Sequence, residues 1–205
     1  MNIAILIFDK LTALDAVGPY EILSRLPGAD LRFVAKEPGP KRTDTGALAV
    51  TADVALADLT DPEILLVPGG EGNRPLLDDE EVLGWVRAAH ASSTWTTSVC
   101  TGSLVLGAAG VLEGKRATSH WAYREQLGAF GAEPVAERVV VDGKVVTAAG
   151  VSAGIDMALH LAGLVAGEEV ARAIQLGIEY DPDPPFDSGS PEKEPELAAA
   201  IKEHV

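Results

Sequence analysis

Residues 94–109 read Thr94-Trp95-Thr96-Thr97-Ser98-Val99-Cys100-Thr101-Gly102-Ser103-Leu104-Val105-Leu106-Gly107-Ala108-Ala109. Thr94 to Val99, rich in Thr, Val and Trp, reads as a strand, and Thr101 to Ala109 as a buried helix of small residues. Cys100 stands where one becomes the other, with small residues two places to either side, Ser98 and Gly102. A nucleophile elbow needs that layout. Its turn is too tight for bulky neighbours, and it thrusts the side chain out at the carboxyl end of a sheet.

The rest of the chain repeats the alternation. Asn2 to Phe8 is a continuous apolar run, as expected of a strand covered on both faces. Leu11 to Leu26 has helical spacing, interrupted at Gly18-Pro19, and Leu31 to Ala35 reads as a second strand. Ala47 to Ala52 fits a small side hairpin. Glu63 to Val67 is another buried strand, leading into Pro68-Gly69-Gly70-Glu71-Gly72. Asp79 to Ala91 is a helix opened by acidic residues, which suit the positive end of its dipole. Arg138 to Thr147 reads as a hairpin turning at Asp142-Gly143, followed by helices over Val151 to Ala166 and Glu168 to Leu176. Such alternation predicts an α/β fold with a mostly parallel central sheet. Asp181 to Pro195, crowded with Pro, Asp and Ser, predicts an extended arm, with a short helix from Glu196 to Glu203. The expected organisation is one domain over 1–180 and an arm over 181–205.

Composition narrows the function. With 205 residues and 47% apolar side chains the chain can bury a core. A net charge of −15 makes nucleic acid and anionic membranes poor partners. The single cysteine rules out a disulfide framework and any multi-Cys metal site. Met1 to Phe8 is too short and lacks the basic start of a signal peptide, and no window is apolar enough for a transmembrane helix. A reduced, cytoplasmic compartment is the expectation.

Cys100 is the leading candidate for chemistry. The helix after it places N–H groups and a positive dipole near the sulfur, which predicts a lowered thiol pKa; the alternative is a buried structural thiol. Gly69 and Gly70 end the neighbouring strand, where backbone N–H groups could serve as oxyanion-type donors, or the glycines could make a plain turn. Asp15, among apolar neighbours after the first strand, is a candidate acid/base with a raised pKa, or else a solvated acid at a helix start. His120, in Thr118-Ser119-His120-Trp121, is the best histidine partner for Cys100 unless it is a core histidine. His160 reads as structural, and His90 and His204 as exposed helix ends. No metal-ligand spacing, P-loop or dinucleotide fingerprint is present, so neither metal nor nucleotide cofactor is expected.

These motifs together resemble the ThiJ/PfpI superfamily. The carriers are Asp15-x-x-Gly18-Pro19-x-Glu21, Val67-Pro68-Gly69-Gly70, Ser98-Val99-Cys100-Thr101-Gly102, Ala117-Thr118-Ser119-His120-Trp121 and Ala149-Gly150-Val151-Ser152-Ala153-Gly154-Ile155-Asp156. The resemblance covers Met1 to about Tyr180 and implies a flavodoxin-like three-layer sandwich. Peptidase-like members carry His directly after the cysteine, where this chain has Thr101; deglycase and glyoxalase-like members use Glu where it has Asp15. Both departures, and the tail Glu179-Tyr180-Asp181-Pro182-x-Pro184-Pro185-Phe186, are similar to the isonitrile hydratase branch. The resemblance implies a homodimeric, cofactor-independent hydratase of a small molecule, with Cys100 as nucleophile, Asp15 as proton donor, and Thr101 and the Gly70 region orienting Asp15, water or substrate. It also places His120 and Trp121 at the pocket. Three other readings stay open: a glyoxalase or deglycase, a cysteine redox sensor, and a ligand-binding domain without its regulatory module. A DNA-binding regulator is not expected, because the acidic tail offers no basic recognition helix.

Overall fold

The computed structural model describes residues 1–202; the expected helix end at Glu203 and His204 lie outside them. In chain order the elements are β1 (Asn2–Leu6), α1 (Ala13–Leu23), β2 (Asp30–Ala35), β3 (Gly39–Arg42), β4 (Ala49–Ala52), β5 (Val54–Ala55) and β6 (Ile64–Val67). There follow α2 (Glu80–Ser92), β7 (Trp95–Val99), α3 (Gly102–Ala108), β8 (Arg116–Ala117), β9 (Glu133–Pro134), β10 (Val139–Asp142) and β11 (Val145–Ala148). The helices α4 (Ala153–Ala166), α5 (Glu168–Gly177) and α6 (Pro195–Lys202) complete the chain.

Seven strands form one sheet in the order β10-β11-β7-β6-β1-β2-β5. Every pairing in it is parallel except β10 with β11. That exception is the hairpin read from Asp142-Gly143, with Gly143 at φ +61°. β6 is buried along its whole length, which explains its unalternated Ile64-Leu65-Leu66-Val67: helices cover both faces. Its flanking strands β1 and β7 are buried in all but their first residue. The side hairpin pairs β4 with β3, and β5 then joins the sheet edge.

Three expectations need correcting. His160, read as a structural histidine, is exposed on α4. α1 runs unbroken through Gly18-Pro19. Pro19 removes one helical hydrogen bond, but burial of Ile22 and Leu23 and packing along α4 outweigh that loss. His90 is half-buried rather than exposed, its Nδ1 lying 2.8 Å from Thr96 Oγ1. Residues 181–194 form no helix or strand, and no side chain of α6 is buried. Among the described residues no helix is long and apolar enough to cross a membrane.

Candidate active site

The central strands β7, β6 and β1 are neighbours, so their carboxyl ends deliver three loops to one place. β1 leads through residues 7–12 to Asp15 in the first turn of α1. β6 ends in Pro68-Gly69-Gly70, and β7 in Cys100. The three loops meet around Gly69. A methyl group on Gly69 would lie 2.7 Å from Asp15 Oδ2, 2.7 Å from the Thr101 nitrogen and 2.8 Å from Cys100 Cβ. Only glycine allows this approach.

Cys100 has φ +57°, a left-handed conformation that costs on the order of 1–3 kcal/mol for a residue with a side chain. Its surroundings fix that conformation. The Cys100 N–H donates to Ala149 O at 2.9 Å, while its carbonyl accepts from Ser103 Oγ at 3.1 Å and Ser119 Oγ at 3.0 Å. The elbow's need for small neighbours is also visible: a methyl on Gly102 would lie 2.0 Å from Val67 O. The side chain is 6% exposed and opens onto a cavity of about 990 Å³, also lined by Thr101, Gly70, His120, Tyr123 and Val151.

Asp15 is fully buried beside Cys100 and Gly69 and does not itself line this cavity. Its Oδ2 accepts from Gly69 N–H at 2.9 Å, and Oδ1 is buried with no backbone or side-chain nitrogen or oxygen as partner. Burial pushes its carboxyl up to about 7, against the lowering by the Gly69 amide and the Cys100 thiol. The same pair of effects acts on the sulfur. Burial first, and the Asp15 charge second, push the Cys100 thiol up to about 12, although hydrogen bonds from the Thr101 and Val151 amides pull the other way. The expectation of a resting thiolate is therefore corrected. α3 has only seven residues, and its dipole does not overcome the desolvation of a buried sulfur. At neutral pH the resting pair is a thiol beside a carboxyl poised to gain or lose a proton.

The Gly69 and Gly70 amides are already engaged. Gly69 N–H holds Asp15, and Gly70 N–H donates to Thr101 Oγ1 at 3.1 Å. Neither is free to act as an oxyanion donor; they position the acid and the hydroxyl instead. His120 lines the cavity, but its Nδ1 accepts from Ala122 N–H at 3.3 Å and burial lowers its pKa, keeping it neutral. The hydrogen-bonding groups acting on Cys100 Sγ are Asp15 and the Thr101 and Val151 amides, so His120 is a wall of the cavity rather than the base of a dyad. Trp121 does not line the cavity. It lies 5.4 Å from the His120 ring, centroid to centroid, and faces a separate groove under the arm, with Pro191, Leu197 and Ile201. Sequence reading missed Asn73, which is 3% exposed and donates through Nδ2 to Thr101 Oγ1 at 3.0 Å. Among the described residues no group of three or more His, Cys, Asp or Glu could hold a metal ion.

A parallel flavodoxin-like sheet with a cysteine elbow and a facing carboxyl defines a thiol-bearing α/β class, and the comparisons agree. The chain belongs to the DJ-1/PfpI family, whose model matches residues 1–163. Over 195 residues it is 46% identical to isonitrile hydratase of Pseudomonas putida, an alignment covering 95% of this chain and 85% of that protein. The crystal structure of a THiJ/PfpI family protein from Pseudomonas syringae superposes with a TM-score of 0.96 at 40% identity, covering 100% of this chain and 85% of the other. Drosophila melanogaster DJ-1beta, at 20% identity and TM-score 0.78 over 87% of this chain and 97% of its own, shares the fold.

Proposed function

We propose that the protein is a cofactor-independent isonitrile hydratase, adding water to R–N≡C to give an N-substituted formamide through a thioimidate on Cys100. The observation that carries this reading is a single thiol that lines a cavity and is set beside a fully buried carboxyl whose pKa is near 7. Addition to an isonitrile carbon needs a nucleophile and a proton at the same atom, and this pair supplies both. The 46% identical relative, an isonitrile hydratase, supports the same substrate class.

The steps balance. The Asp15 carboxylate takes the Cys100 proton as sulfur bonds to the isonitrile carbon, then passes that proton to the carbon, giving R–N=CH–S–Cys100. The regenerated carboxylate takes a proton from water as its oxygen adds to the same carbon, and the nitrogen receives that proton. The carboxylate then removes the new hydroxyl proton, the C–S bond breaks, and R–NH–CHO leaves. The departing sulfur recovers its proton from Asp15. Thr101, which lines the cavity, orients the substrate.

The proposed setting is the cytoplasm, where a lone thiol stays reduced. The acting unit is a homodimer, which would cover large apolar side chains left exposed here, such as Leu164 and Leu176. The catalytic unit is 1–180, with 181–205 as an appended arm. The test is to incubate purified protein separately with an alkyl isonitrile and with methylglyoxal, following both by NMR. Formamide should accumulate in step with isonitrile loss while methylglyoxal persists. Methylglyoxal consumption with the isonitrile untouched would replace this reading with the glyoxalase one.

A further inference from the structure

Thr101 Oγ1 is approached by two donors, Gly70 N–H at 3.1 Å and Asn73 Nδ2 at 3.0 Å. A hydroxyl oxygen accepts at most two hydrogen bonds, so its own proton must point elsewhere. In this orientation of the Asn73 amide, Nδ2 also lies 3.5 Å from Pro68 O, a group that only accepts, and Oδ1 is buried without a hydrogen-bond partner. Turning the amide over would set two carbonyl oxygens against each other. Thr101 lines the cavity that Cys100 opens onto, and the side of its hydroxyl away from Gly70 and Asn73 is the side left for donation.

We propose that Asn73 is a positioning residue that, together with the Gly70 amide, locks the Thr101 hydroxyl as a donor into the cavity, aimed at the substrate nitrogen. This rests on the hydratase reading and says which bond of the reaction the hydroxyl serves. The nitrogen of an isonitrile is fully bonded and has no lone pair to offer. A lone pair appears on it only as sulfur bonds to the neighbouring carbon and the N≡C bond order falls. A hydroxyl aimed at the nitrogen therefore gains its acceptor at that atom during the reaction and has none there in the bound substrate, whose lone pair sits on the terminal carbon. Such an interaction lowers the barrier without tightening binding. A freely rotating threonine would spend part of its time turned away, so the two fixed donors matter to rate.

The test is a double-mutant cycle on isonitrile turnover, with kcat and KM measured separately. Thr101→Val should lower kcat by about a hundredfold. Asn73→Leu should lower kcat by about tenfold with KM changed less than about twofold, because only the orientation of the donor is lost. In the Thr101→Val background, Asn73→Leu should have no further effect on kcat, since no hydroxyl remains to orient. Thr101→Ser, which keeps the donor, should retain most activity and remain sensitive to Asn73→Leu. Should Asn73→Leu fail to fold, Asn73→Ser removes the amide with less steric change and completes the cycle. Effects of Asn73 and Thr101 that multiply independently, or a change confined to KM, would overturn the proposal. Absence of isonitrile turnover in the unmutated protein would instead overturn the hydratase reading beneath it.

Discussion

A Cys100→Ala variant is expected to fold normally and to lose formamide production by at least about a thousandfold. The elbow holds Cys100 at φ +57° through its Ala149, Ser103 and Ser119 hydrogen bonds, all made by main-chain atoms of residue 100. None depends on sulfur, so alanine inherits the same turn and the same strain. The side chain lost is small and borders a cavity, so the packing cost is modest. No other thiol can take its place, since Cys100 is the chain's only cysteine. Thermal unfolding and the turnover assay check the two halves of this prediction. Substantial activity in Cys100→Ala would mean that the thiol is a bystander.

Asp15→Asn should lower kcat by about a hundredfold or more while making the protein more stable at alkaline pH. Both effects follow from the carboxyl's pKa of about 7. In the unmutated enzyme the productive state carries one proton shared by the pair, with Asp15 ionised and Cys100 a thiol. That state fills as pH rises through about 7, so kcat/KM should rise there and level off above. The asparagine variant has no group titrating at 7. Its residual activity should climb with pH without a plateau, following direct ionisation of the buried thiol. For stability the sign is the reverse. A carboxyl at 3.8 when unfolded and about 7 when folded is favourable to folding only while protonated. Stability is therefore lost as pH rises from about 4 to about 7. At about 1.4 kcal/mol per pKa unit the full cost is roughly 4 kcal/mol above pH 7. Asparagine keeps an oxygen for the Gly69 amide and carries no charge. The variant should melt higher than the parent at pH 8 and differ little at pH 4. An unchanged pH profile in Asp15→Asn would remove Asp15 from the proton path.

The parallel sheet and the elbow were legible because each depends on local pattern. Ile64-Leu65-Leu66-Val67, short, apolar throughout and followed by Pro68-Gly69-Gly70, reads as a strand covered on both sides, and Gly102 follows Cys100 where the turn leaves no room for a side chain. Asp15 was legible as a candidate acid for a similar reason: a carboxyl among apolar neighbours is either solvated or perturbed, and burial decides for the second. What the sequence concealed were competitions that only three dimensions resolve. The helix after Cys100 pointed to a thiolate, but the depth of the sulfur and the adjacent carboxyl push it toward the thiol. Gly69 and Gly70 offered free amides on paper, and both are used to hold Asp15 and Thr101. Trp121 sits next to His120 in sequence yet faces the arm while His120 faces the cavity. Asn73 had no spacing signal at all. Its role comes from a 3-10 turn over Glu71–Asp78 that folds it back onto Thr101, 28 residues further along the chain.

The central claim is a transient carbon–sulfur bond at Cys100, and intact-protein mass spectrometry of acid-quenched samples during turnover reads it directly. The account predicts a species heavier than the free protein by the mass of one isonitrile, mapped by peptide fragmentation to Cys100 and absent from Cys100→Ala. Full turnover with the thiol never modified at any quench time, and still open to alkylation throughout, would contradict it.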